Sequence, residues 1–391
     1  MKVLILATDI FTRGGIARYT STLASSLGGM LGPENVDVLC FFDWGHTGNL
    51  PSEFRVAGMV SSRGRASLLS RLQFLFKAAR AGTKKYDLVI ANHVALAPVA
   101  ALMKLAFGTP YWVSCHSVEI WWGTSRLRLA ALRNANLVLP VSRYTADAVQ
   151  KLNGIQASRV KVVYNAIPDS FAQLLAPVQD STQKDPLLLS VCTLVRGNEF
   201  KGVDTVIRAL PKILKTAPAS QYVVVGEGEI KASLESIAAE LGVSQNVRFL
   251  GEVSDLELAK LYRRCDVFAL PSRGQELQGE IGGEGFGRVY VEAALAGKPV
   301  IGSRSGGASE AVLHGKTGLL VNPASSDGVA EAVLALLHDP KLAAAMGAAG
   351  RKWALDMFSQ QALSKSLQKL LRPYGIESTS LPEFVHAREQ P

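Results

Sequence analysis

Twelve short apolar runs, each followed by a helix-length segment, constrain this chain more than any other feature. Six fall in the first half: "KVLILA" (2–7), "VDVLCF" (36–41), "DLVIAN" (87–92), "YWVSCH" (111–116), "LVLPVS" (137–142) and "VKVVYN" (160–165). Six fall in the second: "LLLSVCT" (187–193), "YVVVGE" (222–227), "VRFLGE" (247–252), "VFALPS" (267–272), "PVIGSR" (299–304) and "GLLVNP" (318–323). Runs that are apolar at nearly every position, rather than at alternate ones, belong to strands buried on both faces. Such strands form parallel sheets covered by helices. Between the two sets lies "QLLAPVQDSTQKDP" (173–186), which is polar, contains Pro and has no periodicity. The expected organisation is therefore an N-terminal Rossmann-like domain over 1–172, a linker over 173–186 and a C-terminal Rossmann-like domain over 187–355. A C-terminal helix and tail over 356–391 are expected to pack back on the N-terminal domain. The helical pattern runs from Asp339 to Arg372 and is ended by Pro373 and Gly375. Two doubly wound α/β sheets facing each other leave a central cleft lined by the C-terminal ends of their strands, where ligands bind in such folds.

Composition supports this and narrows the partners. At 391 residues, with 48% hydrophobic and 19% charged residues, the chain has ample material for two buried cores and is not a disordered polymer. Its net charge of +9 lies wholly in residues 1–180, where 19 Lys and Arg face 10 Asp and Glu; the remainder has 23 of each. The first half is thus the better candidate for an anionic partner or surface. Cys40, Cys115, Cys192 and Cys265 lie far apart without metal-ligand spacing, which reads as a reduced, cytoplasmic protein. Asp9 interrupts the N-terminal apolar run too early for an export signal. The stretch Leu88 to Phe107 contains Asn92, His93, Pro98 and Lys104, which excludes a membrane-spanning reading.

The chemistry concentrates in "GEGFGRVYVEAALAGKPVIGSRSGGASEAV" (283–312). A glycine-rich turn precedes a helix expected to begin near Phe286. The backbone N–H groups of Phe286, Gly287, Arg288 and Val289 are then free to hold an anion such as a diphosphate. Glu284 stands on the turn and Glu292 about two helical turns further on, so the two carboxylates can accept hydroxyl hydrogen bonds at either end of that anion. A single glutamate of this kind is usually a solvated helix charge; the combination is far more specific. In "VCTLVRGNEFKGVDTVIRALP" (191–211), Arg196 and Lys201 place two cations on the loop after a strand. In "TRGGIARYTSTLASSL" (12–27), Gly14 and Gly15 allow a phosphate or sugar close to the start of a helix. Arg18 there is either a helper cation or an ordinary surface charge. His116 ends a strand in "VSCHSVEIW" (113–121), and Glu119 follows it as a weaker candidate for an acceptor side. Gly226 and Gly228 in "VVVGEGEIKASL" (223–234) offer a fragment of a dinucleotide fingerprint. Lys231 replaces the third glycine and Glu227 and Glu229 would repel a pyrophosphate, so the segment reads as a structural turn. Glu276 and Glu280, in the acidic insert (274–285), are not assignable to a role.

Over nearly its whole length the chain resembles the retaining GT-B glycosyltransferases of family 4, whose signature of two glutamates separated by seven residues is matched by "EGFGRVYVE" (284–292). The resemblance implies that Glu284 contacts hydroxyls of a donor sugar and that Glu292 holds the ribose. It implies that Arg196 and Lys201 neutralise the diphosphate, where charge develops as the nucleotide departs. It assigns Phe249, Leu250 and Gly251, in "VRFLGEVSDLELAKLY" (247–262), to a main-chain edge that pairs with the nucleobase. It places the Gly14–Gly15 loop opposite the donor and His116 against the transferred sugar. The implied activity is hexosyl transfer from a nucleotide sugar, with UDP-glucose the first choice over GDP-mannose, to a glycan or lipid-linked acceptor. The nucleotide sugar is a substrate; no cofactor, metal or nucleic acid is expected. Retention would proceed by front-face displacement, the leaving phosphate helping to deprotonate the acceptor. Other GT-B chemistries (a nucleotide-sugar epimerase, a phosphorylase) and a non-catalytic sugar-nucleotide-binding subunit are the alternatives.

One segment stands outside this scheme. "SSRGRASLLSRLQFLFKAARAGTKKYD" (61–87) interleaves Arg63, Arg65, Arg71, Lys77, Arg80, Lys84 and Lys85 with Leu68, Leu69, Leu72, Phe74, Leu75 and Phe76. It reads either as a helix packed on its own sheet with a solvated basic face or as a peripheral attachment to an anionic membrane, on its cytoplasmic side.

Overall fold

The computed structural model describes residues 1–12, 14–44, 52–60, 66–121, 124–177, 185–274 and 283–375. It contains two six-stranded sheets, parallel at every pairing. The first is built from β1 (Val3–Ala7), β2 (Val36–Cys40), β3 (Arg55–Met59), β4 (Leu88–Ala91), β5 (Tyr111–Cys115) and β6 (Leu137–Pro140), in the order β3-β2-β1-β4-β5-β6. The second comprises β7 (Leu187–Val191), β8 (Gln221–Val225), β9 (Val247–Phe249), β10 (Val267–Ala269), β11 (Val300–Ser303) and β12 (Gly318–Val321), in the order β12-β11-β10-β7-β8-β9. Read from the opposite edge, the second order is the same as the first. Each reverses direction beside its first strand, between β1 and β4 and between β7 and β10. A crevice opens at the C-terminal ends of strands at such a point.

Alternation of side chains explains why the strands are apolar throughout. In the first sheet Leu4, Leu6, Val89, Ala91, Tyr111 and Val113 enter one core with Phe74, Ala78, Ala97 and Met103. Their sequence neighbours Val3, Ile5, Ala7, Leu88, Ile90 and Trp112 enter the core on the other face with Tyr19, Leu23 and Leu27. That second core also receives Leu363, Leu367 and Leu371 from the C-terminal helix Gln360–Leu371. The continuous helical pattern from Asp339 is in fact two helices, Pro340–Phe358 and Gln360–Leu371. Ser359 breaks them in an extended conformation, its side chain capping the second helix through Ala362 N–H. There the chain returns to the first half, and Ile167 N–H donates to Phe358 C=O at 2.9 Å.

One strand assignment is corrected. The sixth member of the first sheet is Arg55–Met59, an edge strand largely open to solvent, not "VKVVYN" (160–165). The latter runs beside β6, where Lys161 and Val163 N–H donate to Val138 and Pro140 C=O, but it makes only one bridge, Val138 with Val160. Its apolarity comes from burial, Val163 in the second core and Val160 in the first, not from membership of a ladder.

Candidate active site

Two helix N-termini converge on one cavity. Gly14, Gly15 and Ile16, at the start of the helix Gly15–Leu31 after β1, line one wall. Phe286, Gly287, Arg288 and Val289, at the start of the helix Arg288–Leu295, line the other. The cavity has a volume of about 370 Å³ and also takes in His116, Ser117, Asn165, Cys192, Thr193, Lys201, Gly226, Glu227, Glu252, Val253 and Glu284. Among the described residues the N–H groups of Gly287, Arg288 and Val289 have no acceptor, so both the helix field and free donors point at this space. The helix begins at Arg288, two residues later than its sequence pattern implies, because Gly287 adopts a φ of 87° and turns the chain into it.

Lys201 Nζ lies 2.6 Å from Glu284 Oε2, and both side chains are largely buried. The pair links the short turn Glu199–Lys201, after β7, to the glycine-rich loop before the Arg288 helix. Gly285, next in that loop, passes so close to the first half that a Cβ on it would stand 2.4 Å from His116 C=O. Its own carbonyl accepts a hydrogen bond from Ser142 Oγ at 2.6 Å. Thus a glycine and a serine hydroxyl join the two halves at the cavity, beside the apolar contact of Val141 with the core of the second half.

His116 is buried, with Nε2 3.0 Å from the carbonyl of Asn92. A carbonyl only accepts, so Nε2 carries the proton in that contact, and Nδ1 is the ring's remaining polar atom. Tyr19 meets the ring edge-on and His93 stacks beside it at 6.4 Å. Glu119 turns inward and receives the backbone N–H of His116 at 2.6 Å and of Ser117 at 3.1 Å, fixing the strand end that carries the imidazole. Burial pushes the Glu119 carboxyl up, but the nearby His116 and His93 and those N–H donors outweigh it and hold it below its ordinary range. His93 is held low, mainly by burial. The Cys192 thiol is pushed up to about 12 by burial, with Lys201 opposing and Glu284 reinforcing.

Several expected site residues are placed elsewhere. Glu292 is buried behind the cavity, not on its wall; it accepts from Tyr262 Oη at 2.9 Å and pairs with Arg288 Nε at 3.4 Å. Arg288 contributes more than its backbone: its guanidinium is buried, donates to Ala166 C=O, and leaves Nη2 without a partner among the described residues. Arg196 is exposed and does not line the cavity; its backbone N–H donates to Glu229. Phe249, Leu250 and Gly251, assigned to an edge that pairs with the base, do not line this cavity, and two of their main-chain groups are engaged. Leu250 N–H donates to Val224 C=O and Gly251 C=O accepts from Gly226 N–H, so the wall falls instead to Glu252 and Val253 with Gly226 and Glu227. Gly226 is required by close approach: a Cβ there would meet Cys192 C=O at 1.8 Å. Arg18 lines the cavity and pairs with Asp255 of the second half at 2.5 Å. Glu276 and Glu280 lie outside the described residues.

Known proteins place this geometry. Residues 13–171 match the family profile described as Glycosyltransferase Family 4, and residues 175–353 the one described as Glycosyl transferases group 1. A GDP-mannose-dependent alpha-(1-6)-phosphatidylinositol monomannoside mannosyltransferase of Mycobacterium tuberculosis is 31% identical over 384 residues, covering 95% of this chain and 98% of that protein. The chain belongs to the group 1, family 4 glycosyltransferases. The Mycolicibacterium smegmatis enzyme of the same description is 36% identical over 297 residues, 73% of this chain and 77% of its own. Among solved structures, Anabaena HepE in complex with UDP and glucose aligns with a TM-score of 0.77 at 23% identity, covering 95% of this chain and 99% of that one. Sucrose-phosphate synthase from Thermosynechococcus elongatus also aligns at 0.77, with 22% identity over 97% of this chain and all of that one. These likenesses give the glycosyltransferase the GT-B fold. The sequence did not reveal Asn165, Ser117, Thr193 or Glu252 in its cavity, because single polar residues at loop positions carry no periodic or motif signal. Asn165 had one weak mark: it ends the apolar run "VKVVYN", as His116 ends its own.

Proposed function

We propose that this glycosyltransferase moves a mannosyl group from GDP-mannose to a lipid-linked acceptor of the phosphatidylinositol mannoside type, with retention of anomeric configuration. One observation carries the glycosyl-transfer reading: the Lys201–Glu284 pair, the free N–H groups of Gly287 to Val289, the Gly14–Gly15 helix end and His116 all line a single cavity. A diphosphate fits between the two helix ends, with Lys201 neutralising it as it departs and Glu284 accepting from sugar hydroxyls. Arg196, exposed at the loop after β7, reaches the diphosphate once donor is bound. Glu292 orients Arg288, and the ribose is held jointly by that pair. His116 Nδ1 accepts a hydroxyl of the transferred sugar.

The choice of donor rests on the mannosyltransferases, which are similar in sequence over most of both chains. It replaces UDP-glucose as the first donor to test, since the UDP-bound neighbours are alike in fold alone. No metal or cofactor enters this scheme, because the positive charge is supplied by Lys201 and the two helix ends. Glu119 is committed to backbone N–H groups and Glu284 to Lys201, which favours front-face displacement over a carboxylate nucleophile. The protein would act in the cytoplasm, where nucleotide sugars are available to it. Incubation with labelled GDP-mannose or UDP-glucose and a phosphatidylinositol mannoside acceptor tests the reading, with NMR of the new glycosidic bond. An α-linked mannosyl product from GDP-mannose is expected. Isomerisation of the donor without transfer, or transfer from UDP-glucose alone, overturns it.

A further inference from the structure

The helix Leu68–Gly82 has two apolar faces. Phe74, Ala78 and Ala81 are buried against the first sheet. Leu68, Leu69, Leu72, Leu75 and Phe76, spaced to fall on one side of a helix, are turned to solvent, Leu68 at 75% and Phe76 at 71% exposure. At 100° per residue this outward stripe is edged by Arg71 on one side and Arg80 on the other. The face that a packed, solvated helix would fill with charge is therefore apolar.

The stripe continues onto its neighbours. The helix Ala97–Phe107 packs beside it, so closely that a Cβ on Gly82 would meet the Phe107 ring at 2.2 Å. It exposes Leu102, Leu105 and Phe107, Leu105 at 84%. The helix Arg126–Asn134 packs against that one and exposes Leu127. These three helices together contain seven Lys and Arg and no Asp or Glu. Arg71, Arg80, Arg126 and Arg128 are exposed and form no ion pair among the described residues.

We propose that these three helices form a docking platform for an anionic phospholipid surface, with the leucines and phenylalanines entering the headgroup boundary and the arginines pairing with phosphates. The charge selects the occupant. A second copy of this chain would bring a like-charged face and be repelled, whereas an anionic bilayer offers both apolar depth and negative charge. Among the described residues no helix is long and apolar enough to cross a membrane; the proposed attachment is by this surface, and reversible. The inference stands apart from the proposed donor and acceptor and is tested without them.

The full chain is floated with vesicles of phosphatidylcholine alone and with added phosphatidylglycerol, over a salt series. Binding only to the anionic vesicles, released as salt rises and the Debye length shrinks, is expected. Phe76→Ser with Leu105→Ser should cut the apparent partition by about tenfold or more, since each removes a side chain otherwise buried in lipid. Arg71→Gln with Arg80→Gln should cut it and flatten the salt dependence. All four positions are exposed, and an unchanged thermal unfolding transition confirms that each variant is folded. Equal binding to both vesicle types overturns the proposal, as does undiminished binding by both variants. A lipid-free dimer abolished by Phe76→Ser with Leu105→Ser would instead make the face an interface between copies and also overturn it.

Discussion

Lys201 Nζ stands 2.6 Å from Glu284 Oε2, so the two residues proposed to meet the donor hold each other before it arrives. Each is the other's counter-ion in a partly closed space. Removing one leaves the other both mispositioned and unpaired. Lys201→Ala should lower kcat by about 100- to 1,000-fold, the range for loss of one group that stabilises developing charge. Glu284→Gln should impair turnover and sugar-nucleotide affinity more than affinity for the free nucleoside diphosphate. Arg196→Ala, from an exposed side chain, should cost less than Lys201→Ala. Steady-state kinetics with calorimetry on both ligands checks all three, and an effect confined to KM would mean that Lys201 binds donor without aiding departure.

Glu292→Ala should destabilise the fold by about 3–5 kcal/mol, the cost of leaving the buried Arg288 guanidinium without its partner. Burial already lowers the Arg288 pKa, and Glu292 is the first influence opposing that. Replacing both, as in Arg288→Met with Glu292→Leu, should recover much of the loss in stability while abolishing nucleoside-diphosphate binding. Urea unfolding of the single and double variants measures the coupling. Equal destabilisation by both would show that the pair holds nothing together.

Much of this was legible because it is local in sequence. Eleven of the twelve strands announce themselves as apolar runs, and Gly14, Gly15, His116, Lys201 and Glu284 each lie just beyond or between strand ends. The missed strand, Arg55–Met59, is a half-exposed edge with a glycine, so neither β-branching nor continuous apolarity marks it. The segment 160–165 is apolar for a different reason, burial of Val163 in the core that the C-terminal helix completes. What could not be read is what joins distant residues. Arg18 and Asp255 are 237 positions apart, Ser142 and Gly285 143, and Arg143 and Glu310 167. Main-chain hydrogen bonding is equally hidden: nothing in a side chain says that Leu250 N–H and Gly251 C=O are spent on β8 and its turn.

Acidification should weaken the first half. His93, held below its ordinary value of 6.5 mainly by burial, stays neutral in the fold while the unfolded chain takes up a proton. Its contribution is complete above about pH 6.5 and declines as pH falls from there toward the lower folded value. Glu119, lowered in the fold, contributes above its unfolded pKa of about 4.3 and loses that as pH falls through the folded value. Both act in the same direction, in two successive windows. Thermal unfolding from about pH 8 to about pH 2 should show a decline beginning near 6.5 whose upper part disappears in His93→Asn. A His93→Asn profile matching the wild type would remove His93 from the account.

The last prediction concerns how the halves set the site. Glu310 receives the backbone N–H groups of Arg143 and Tyr144, both at 2.8 Å, at the N-terminus of the helix Arg143–Asn153. A carboxylate there satisfies donors the helix cannot use and meets the positive end of its dipole. One residue earlier, Ser142 Oγ donates to Gly285 C=O, beside Glu284. The start of a helix in one half therefore grips two loops of the other, one of them the glycine-rich loop that carries Glu284. Glu310→Ala should cost about 1 kcal/mol of stability, as for loss of a helix cap. It should also lower kcat several-fold, because Glu284 is then less firmly placed when the cleft closes. Ser142→Ala should cost about 1 kcal/mol as well, through its buried cap on Thr145 N–H, and should also lower kcat through loss of the tie to Gly285. Because both variants loosen one contact, their effects on kcat should combine to less than the product of the two. Single-turnover kinetics beside denaturant unfolding separates the parts. Loss of stability with unaltered turnover in both variants would reduce these contacts to packing, whereas a shared, sub-multiplicative loss of kcat places them in the closing of the site.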